Sequence, residues 1–474
     1  MDSQSNHDKE SLKRLSHYTR EGGFSAAGSQ IVNSYSTPLA LSFKATHYEV
    51  GLLSSLQSFA GMIALIPGAK ILERLHSRKT VWLFSSILYR LFWIPLILLP
   101  FFVQGRSESA VYLIIISLAL SHFFIAFRYP AWSSLMADVV PRQLRGRFFG
   151  RRNMITGVFG LLAILAAGQV LILFGFGWLF LLASAVGFIA VYFIRKIQEP
   201  PFKPKFFYKK NFSFSLGDIS RSIAVNRNFF VFTLFIFALH FSVRFTSPFF
   251  TVYMLQNLGI GYFWFTIAEV MRKLVEVCGH PYWGRLSDRI GEKHLIGITT
   301  ILITFIPLAW LFTFSPLQAV LVSMLEGFAW SGFDLNSFSF SIGSSPEKEK
   351  PRFLAFHHTV KESALLSGAL SGGIAAESLK DSSLFWLSGL QILFLLGFFL
   401  RSASLVFIPY LKDPRFANMS VRGIFWRVVL FYPARGFLSW LKFIAKKLLK
   451  AKRLNRDISE SLKTLNYKIR LKRG

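Results

Sequence analysis

Apolar runs of membrane-crossing length recur along the whole chain, divided by short polar turns. A helix rises about 1.5 Å per residue, so about 20 apolar residues cross the hydrocarbon core of a bilayer. The pattern predicts twelve helical spans, near 22–43, 51–72, 79–103, 109–130, 150–173, 177–195, 228–255, 262–284, 293–314, 316–342, 354–376 and 383–410. One interval stands apart. Residues 196–227 are polar and basic, and they contain Pro200, Pro201 and Pro204, which oppose helix formation. The expected organisation is an all-α membrane protein. An N-terminal segment (1–21) precedes a first six-helix bundle (22–195), a linker (196–227), a second six-helix bundle (228–410) and a basic tail (411–474).

The bundles read as copies of each other. A shift of 205 positions lays Pro141 on Pro346, Arg147 on Arg352, Phe148 on Phe353 and Gly168 on Gly373 without a gap. Near the start of each bundle, Thr37-Pro38 matches Ser247-Pro248. Two parallel six-helix copies are expected to be related by a pseudo-twofold axis.

Composition supports a polytopic membrane class. The chain has 474 residues, of which 53% are hydrophobic and only 16% charged. A soluble chain of this length carries roughly 25% charge. The formal net charge is +30, and its placement decides what it means. Of the 54 Lys and Arg, only Lys44, Arg106 and Lys380 fall on one side, in the odd-numbered loops. Seven more lie within the spans: Arg90, Arg128, Arg244, Arg272, Lys273, Lys361 and Arg401. The rest fall in the termini and the even-numbered loops, and basic loops stay in the cytoplasm. Both termini are therefore expected inside a multi-pass cell (inner or plasma) membrane protein, with no nucleic-acid partner.

The tail adds an amphipathic signal. Phe437, Trp440, Leu441, Ile444 and Leu448 recur at helical spacing, with Lys442, Lys446, Lys447 and Lys450 on other faces. Such a helix is expected to lie on the anionic lipids of the inner leaflet. Cys278 is the single cysteine, so no intramolecular disulfide is available, and no metal-ligand spacing is present. No cofactor is expected. Met1 to Arg20 is polar, which predicts no cleavable signal peptide.

The charged turn between the eighth and ninth spans carries a motif. It reads Gly284-Arg285-Leu286-Ser287-Asp288-Arg289-Ile290-Gly291-Glu292-Lys293. Gly284 removes a side chain where helices approach, Asp288 is placed to cap or pair, and Gly291 permits a tight turn. The spacing G-x-x-x-D-R-x-G-x-K resembles the signature loop of the major facilitator superfamily. In the first half a degenerate copy runs from Gly68 to Lys79, with Glu73-Arg74 standing where Asp288-Arg289 stand. The resemblance implies a secondary transporter that works by alternating access. Its cytoplasmic gate would use Glu73, Arg74, Gly284, Asp288, Arg289 and Gly291. The fourth span departs from the family pattern: it has no Arg ahead of a Gln-Gly pair, and Ser121-His122 stands there instead.

Charge at membrane depth costs about 2.5–3.5 kcal/mol on insertion scales unless it meets a cavity or a partner. The second half carries several such residues. His240 and Arg244 lie one turn apart on the seventh span. Glu269, Arg272, Lys273 and Glu276 form one stripe on the eighth. Glu326, Asp334 and Asn336 lie on the tenth; His357, His358, Lys361 and Glu362 lie on the eleventh. Two readings of the stripe stay open. In one it neutralises itself, Glu269 with Lys273 and Arg272 with Glu276. In the other its charges act on a solute. The functional reading makes Gln30, Asn33, His240, Arg244, Lys273 and Lys361 substrate-binding residues. Glu276, Glu326, Asp334 and Glu362 are then candidates for proton coupling, because burial favours the protonated carboxyl. Arg128 is expected to snorkel or pair with Asp138, and Arg90, midway along the third span, has no evident partner.

The expected ligand is a small solute, anionic or zwitterionic, with protons as an additional partner and a monomer as the working unit. No nucleophile–base pair or metal spacing suggests an enzyme. The rival reading is a non-transporting membrane sensor or lipid-handling scaffold on the same fold.

Overall fold

The computed structural model describes residues 2–103, 105, 107–139, 145–200, 226–345 and 350–412. The basic tail, the loop starting at Pro141 and almost all of the linker fall outside the described residues. So do the side chains of Asp288 and Arg289.

The described residues are almost wholly helical. In order come α1 (Asp2–Ser42), α2 (His47–Leu75), α3 (Arg78–Leu91), α4 (Ile94–Phe102), α5 (Glu108–Phe127), α6 (Tyr129–Val139), α7 (Arg145–Phe174) and α8 (Phe176–Lys196). After the linker come α9 (Arg227–Val252), α10 (Gly261–Ile290), α11 (Glu292–Leu311), α12 (Pro316–Ser344), α13 (Lys350–Ser378) and α14 (Gly389–Ser404).

Local sequence sets the starts. Thr46 and Glu49 form a capping box at α2: Glu49 N–H donates to Thr46 Oγ1 (3.2 Å) and Thr46 N–H to Glu49 Oε2 (2.8 Å). Ser77, Ser107, Asn226 and Ser315 cap α3, α5, α9 and α12 in the simpler way. The ends of α2 and α10 show how the two copies of the charged loop turn. Gly291 sits at φ +84° between α10 and α11, and His76 takes up φ +51° at the end of α2. A left-handed histidine thus does in the first copy what glycine does in the second.

Three boundaries differ from the sequence pattern. The third expected span is broken at Phe92–Trp93 into α3 and α4, because Pro95 brings no N–H to continue the ladder. The fourth continues past Phe127 through Arg128 into α6. The twelfth begins later than expected. Ser383–Leu384 and Leu387–Ser388 form a small antiparallel hairpin, and α14 starts at a Ser388/Gln391 capping box.

Eight described helical stretches are long and apolar enough to cross a membrane. They include α2, the α3–α4 pair, the α5–α6 pair, most of α7, α8, α9, α11 and α14. The other long helices, α1, α10, α12 and α13, have 41, 30, 29 and 29 residues and are the polar ones. They are also the helices that carry most of the site residues expected from the sequence.

The helices before the linker meet those after it along two seams. On one, α2 packs against α13; on the other, α7 packs against α10. Each seam carries one glycine of the repeat. Gly373 lies against Gly51, where a Cβ would come within 2.9 Å of the Gly51 Cα. Gly168 lies against Thr266, with no room for a side chain between them. The matched pair in the sequence therefore marks equivalent contacts in space.

Candidate functional site

A cavity of about 390 Å³ lies where both sets of helices converge. From α1 come Gln30, Asn33, Ser34 and Thr37; from α2, Ser54 and Gln57; from α5, His122. The later helices add Arg244 and Ser247 from α9, Glu269 and Arg272 from α10, and Ser323 and Glu326 from α12. Phe250, Met254 and Trp310 supply an apolar wall. Hydroxyls, amides and a few charges beside aromatic surface are the usual lining of a small-solute site.

The charges in this cavity are unequally satisfied. Glu269 accepts from Arg272 Nη2 (2.8 Å) and Nε (3.2 Å), and also from Ser34 Oγ of α1 (2.9 Å). That last bond joins helices from opposite sides of the linker. Nearby, Tyr35 and Thr266 share a buried hydroxyl contact of 2.9 Å between the same two helices. Arg244 is different. Among the described residues no acceptor lies within hydrogen-bond or ion-pair distance of its guanidinium. Glu326 likewise has no hydrogen-bond partner among them. The cavity thus presents one available cation and one available carboxylate.

The stripe on α10 pairs otherwise than the sequence spacing suggests. Arg272 holds Glu269, and Lys273 Nζ holds Glu276 Oε1 at 2.6 Å. Only the Arg272–Glu276 contact, at 3.9 Å, follows the expected pairing. Glu269 and Lys273 are not paired among the described residues.

Of the predicted solute and proton residues, Gln30, Asn33, Arg244 and Glu326 line the cavity. Lys273 and Glu276 sit one turn away, engaged with each other. His240 is buried between Trp330 and Phe333, its Nδ1 without a hydrogen-bond partner. Lys361 and Glu362 are half-buried on α13, with His358 Nε2 3.9 Å from Glu362 Oε1. Asp334 is exposed and does not line the cavity. Ser34, Ser54, Ser247, Ser323 and His122 were not singled out as ligands, since a lone hydroxyl or histidine in an apolar helix gives no periodic signal.

The motif loops show a clamp. Arg78, near the end of the first copy, is buried and donates Nη1 to Asp138 Oδ2 (2.6 Å) and Nη2 to the Pro200 carbonyl (3.0 Å). Glu199 Oε1 accepts from the Arg78 backbone N–H (2.7 Å) and from its Nε (3.3 Å). This corrects the expected Arg128–Asp138 pair: Arg128 instead donates to Ser86 Oγ (2.9 Å). Glu73 and Arg74 are exposed. In the second copy Lys293 reaches the Pro409 carbonyl at 3.5 Å. Gly284 is not needed for close packing, because a Cβ there would meet Leu335 at an ordinary 3.6 Å.

Among the described residues no group of three or more His, Cys, Asp or Glu is placed to hold a metal ion. The family model of the Major Facilitator Superfamily matches residues 22–272, just over half of the chain. The chain belongs to the major facilitator superfamily. It is a multi-pass integral membrane protein, and its relatives are transporters rather than enzymes, sensors or scaffolds. A stretch of 141 residues is 28% identical to the staphyloferrin B transporter of Staphylococcus aureus, covering 29% of this chain and 34% of that protein. A stretch of 171 residues is 26% identical to the melibiose permease of Enterobacter cloacae, covering 34% of this chain and 39% of that one. These matches span little more than a third of either relative. Two solved structures share the fold. A mutant of the nucleoside transporter NupG superposes with a TM-score of 0.66 at 13% identity, covering 83% of this chain and 99% of that one. A D-xylose-proton symporter gives 0.63 at 12% identity, covering 86% and 97%.

Proposed function

We propose that this superfamily member is a secondary active transporter of a small anionic or zwitterionic solute. The observation that carries this reading is the Arg244 guanidinium, which lines a shared cavity and has no acceptor among the described residues. A cation held without a partner at membrane depth is stabilised by any anion that enters. Gln30, Asn33, Ser34 and Ser247 surround it with neutral hydrogen-bonding groups suited to the rest of a polar solute.

In this reading the protein has twelve crossings. The polar helices α1, α10, α12 and α13 span the membrane as the wet lining, alongside the eight apolar stretches. The two bundles cover 22–195 and 228–410, joined by the linker 196–227, with the segment 1–21 and the tail 411–474 at the ends. Both termini face the cytoplasm, the tail lies on anionic lipid, and the monomer is the working unit. The contacts of His47, Tyr48 and Gly51 with Ala376, Glu377 and Gly373 then lie at the outer face. They close that face, and rocking of the bundles separates them. The motif residues Asp288, Arg289, Glu73 and Arg74 make the contacts that differ at the cytoplasmic face.

Glu326 is the carboxylate favoured for proton coupling, since it lines the cavity without a hydrogen-bond partner; Glu276, Asp334 and Glu362 stand behind it. Lys273, Lys361 and His240 act, if at all, from outside the cavity observed in this conformer.

The deciding experiment is uptake by proteoliposomes across a panel of anionic and zwitterionic metabolites. A solute transported by the native protein should be bound ten- to a hundredfold more weakly by Arg244→Gln, the loss expected for one charged hydrogen bond. Arg244→Lys should recover part of it. Transport that is insensitive to Arg244→Gln overturns the assignment of the site. Transport indifferent to an imposed pH gradient removes the proton.

A further inference from the structure

A second cavity, of about 340 Å³, lies among helices of the first bundle alone. Glu21, Ser25 and Ser29 of α1 line it, with Arg128 and Trp132 from the α5–α6 junction and Arg152 from α7. Arg152 Nη2 stands 3.7 Å from Glu21 Oε2, beyond hydrogen-bond range. Both Glu21 Oε2 and Arg152 Nε are buried without a hydrogen-bond partner. The Arg152 guanidinium lies 5.2 Å over the Trp132 ring, and that of Arg128 lies 5.7 Å over Tyr89. Behind the wall sits Arg90, fully buried, donating to the Ser86 carbonyl (2.7 Å) and to Ser25 Oγ (3.3 Å).

Three guanidinium groups therefore gather around one carboxylate. Uncompensated charge is costly at this depth, so the cluster is short of negative charge. The guanidinium also lies close against α1: a Cβ on Gly22 would stand 2.7 Å from Arg152 Nη2 and would push that side chain aside.

We propose that this cavity is a second binding site, distinct from the central one, for a phosphate or carboxylate group held by Arg128 and Arg152. Guanidinium forks match both oxyanions, and the Ser25 hydroxyl, which accepts from Arg90, keeps its own O–H to donate. Trp132, Tyr129 and Ile125 give the rest of the ligand an apolar wall. The same face of α1 leads onward. Glu21, Ser25 and Ser29 are followed at four-residue steps by Asn33 and Thr37, which line the central cavity. Eight residues of helix separate Ser25 from Asn33, about 12 Å. That link to the pathway rests on the transport reading; binding at the second site does not. The oxyanion comes either from a soluble solute or from an anionic lipid headgroup.

The test measures thermal stabilisation of the purified full-length protein. Inorganic phosphate and citrate are titrated in detergent, and phosphatidylglycerol is compared with phosphatidylcholine in nanodiscs. Saturable stabilisation should weaken by more than about tenfold in Arg152→Gln. It should persist in Arg244→Gln, and Arg152→Lys should restore part of it. Glu21→Gln removes a competing carboxylate and should tighten binding, a gain that a damaged fold does not produce. The double variant Glu21→Gln/Arg152→Gln removes both members of the Glu21–Arg152 pair and should bind as weakly as Arg152→Gln alone. Arg152-dependent stabilisation by phosphatidylglycerol only assigns the site to a lipid headgroup. The proposal is overturned if no oxyanion stabilises the protein, or if stabilisation survives both Arg152→Gln and Arg128→Gln. Stabilisation lost in Arg244→Gln but kept in Arg152→Gln also overturns it, while leaving the central site in place.

Discussion

At the scale of single residues, the cavity divides charges that are occupied from those that are not. Glu269 is held by Arg272 and by Ser34, whereas Arg244 and Glu326 remain available. Ser34 is the residue whose bond crosses from α1 to α10. Removing it in Ser34→Ala should cost about 1.5–3 kcal/mol, the range for a hydrogen bond to a charged group. The expected outcome is a lower unfolding temperature, with Ser34→Thr close to native; equal unfolding temperatures for Ala and native protein would deny the bond any weight. Arg244 was legible in the sequence because a cation inside an apolar run is expensive and conspicuous. Lys273 and Glu276 were equally conspicuous, yet they spend their charge on each other. Sequence spacing shows which residues share a helix face; it does not choose between partners three and four residues away. Arg401 carries the same lesson. It is buried on α14, and its charge is met by the Ile303 carbonyl (2.8 Å) and Thr246 Oγ1 (2.7 Å) rather than by a carboxylate.

At the scale of elements, the repeat glycines fix where helices touch. Gly51 and Gly373 bring α2 and α13 into backbone contact, beside the bond from Tyr48 N–H to Glu377 Oε2 (3.4 Å). Gly373→Leu should wedge this seam apart. In the proposed orientation it should raise labelling of a cysteine at position 37 by a reagent confined to the outer side, measured in a Cys278→Ala background. Labelling equal to that of the unmodified seam would separate the contact from gating. Apolar period and length located nearly every helix, since both follow from the bilayer that the helices were built to cross. They did not locate the break at Phe92–Trp93 or the hairpin before α14. Pro95 reads as tolerable within a long apolar run, and Ser388-Gly389 reads as ordinary span. Neither decision is made by hydropathy; each depends on whether neighbouring groups take over the freed backbone bonds.

At the scale of the whole molecule, the seam between α2 and α13, which closes the outer face in the proposed orientation, should couple conformation to acidity. Burial alone would raise the Glu377 carboxyl, but the bonds it accepts from Lys380 Nζ (2.7 Å) and Tyr48 N–H outweigh that and hold it below the usual glutamate value. A depressed value in the closed form means its contribution is fully present above the ordinary glutamate range. It fades as pH falls through the lower, closed-form value. The closed seam should therefore persist from neutral to mildly acidic solution and loosen only in stronger acid. Glu377→Gln should abolish that acid response in spin-label distances between α2 and α13. A native seam that does not change with acid would contradict it. The shared cavity was foreseeable from the charged helices, but its depth was not, because depth depends on how two bundles tilt and not on either bundle's own sequence.

The polar track along α1 has a consequence for how the protein is made. This helix carries Glu21, Ser25, Ser29, Gln30, Asn33 and Ser34 along its length and is absent from the described stretches apolar enough to cross unaided. As the proposed first crossing, it gains little by entering lipid alone. Its packing partners α7 and α8 are translated more than a hundred residues later. In the proposed arrangement α1 is therefore held in the membrane by α7 and α8, which are made after it, rather than by its own apolarity.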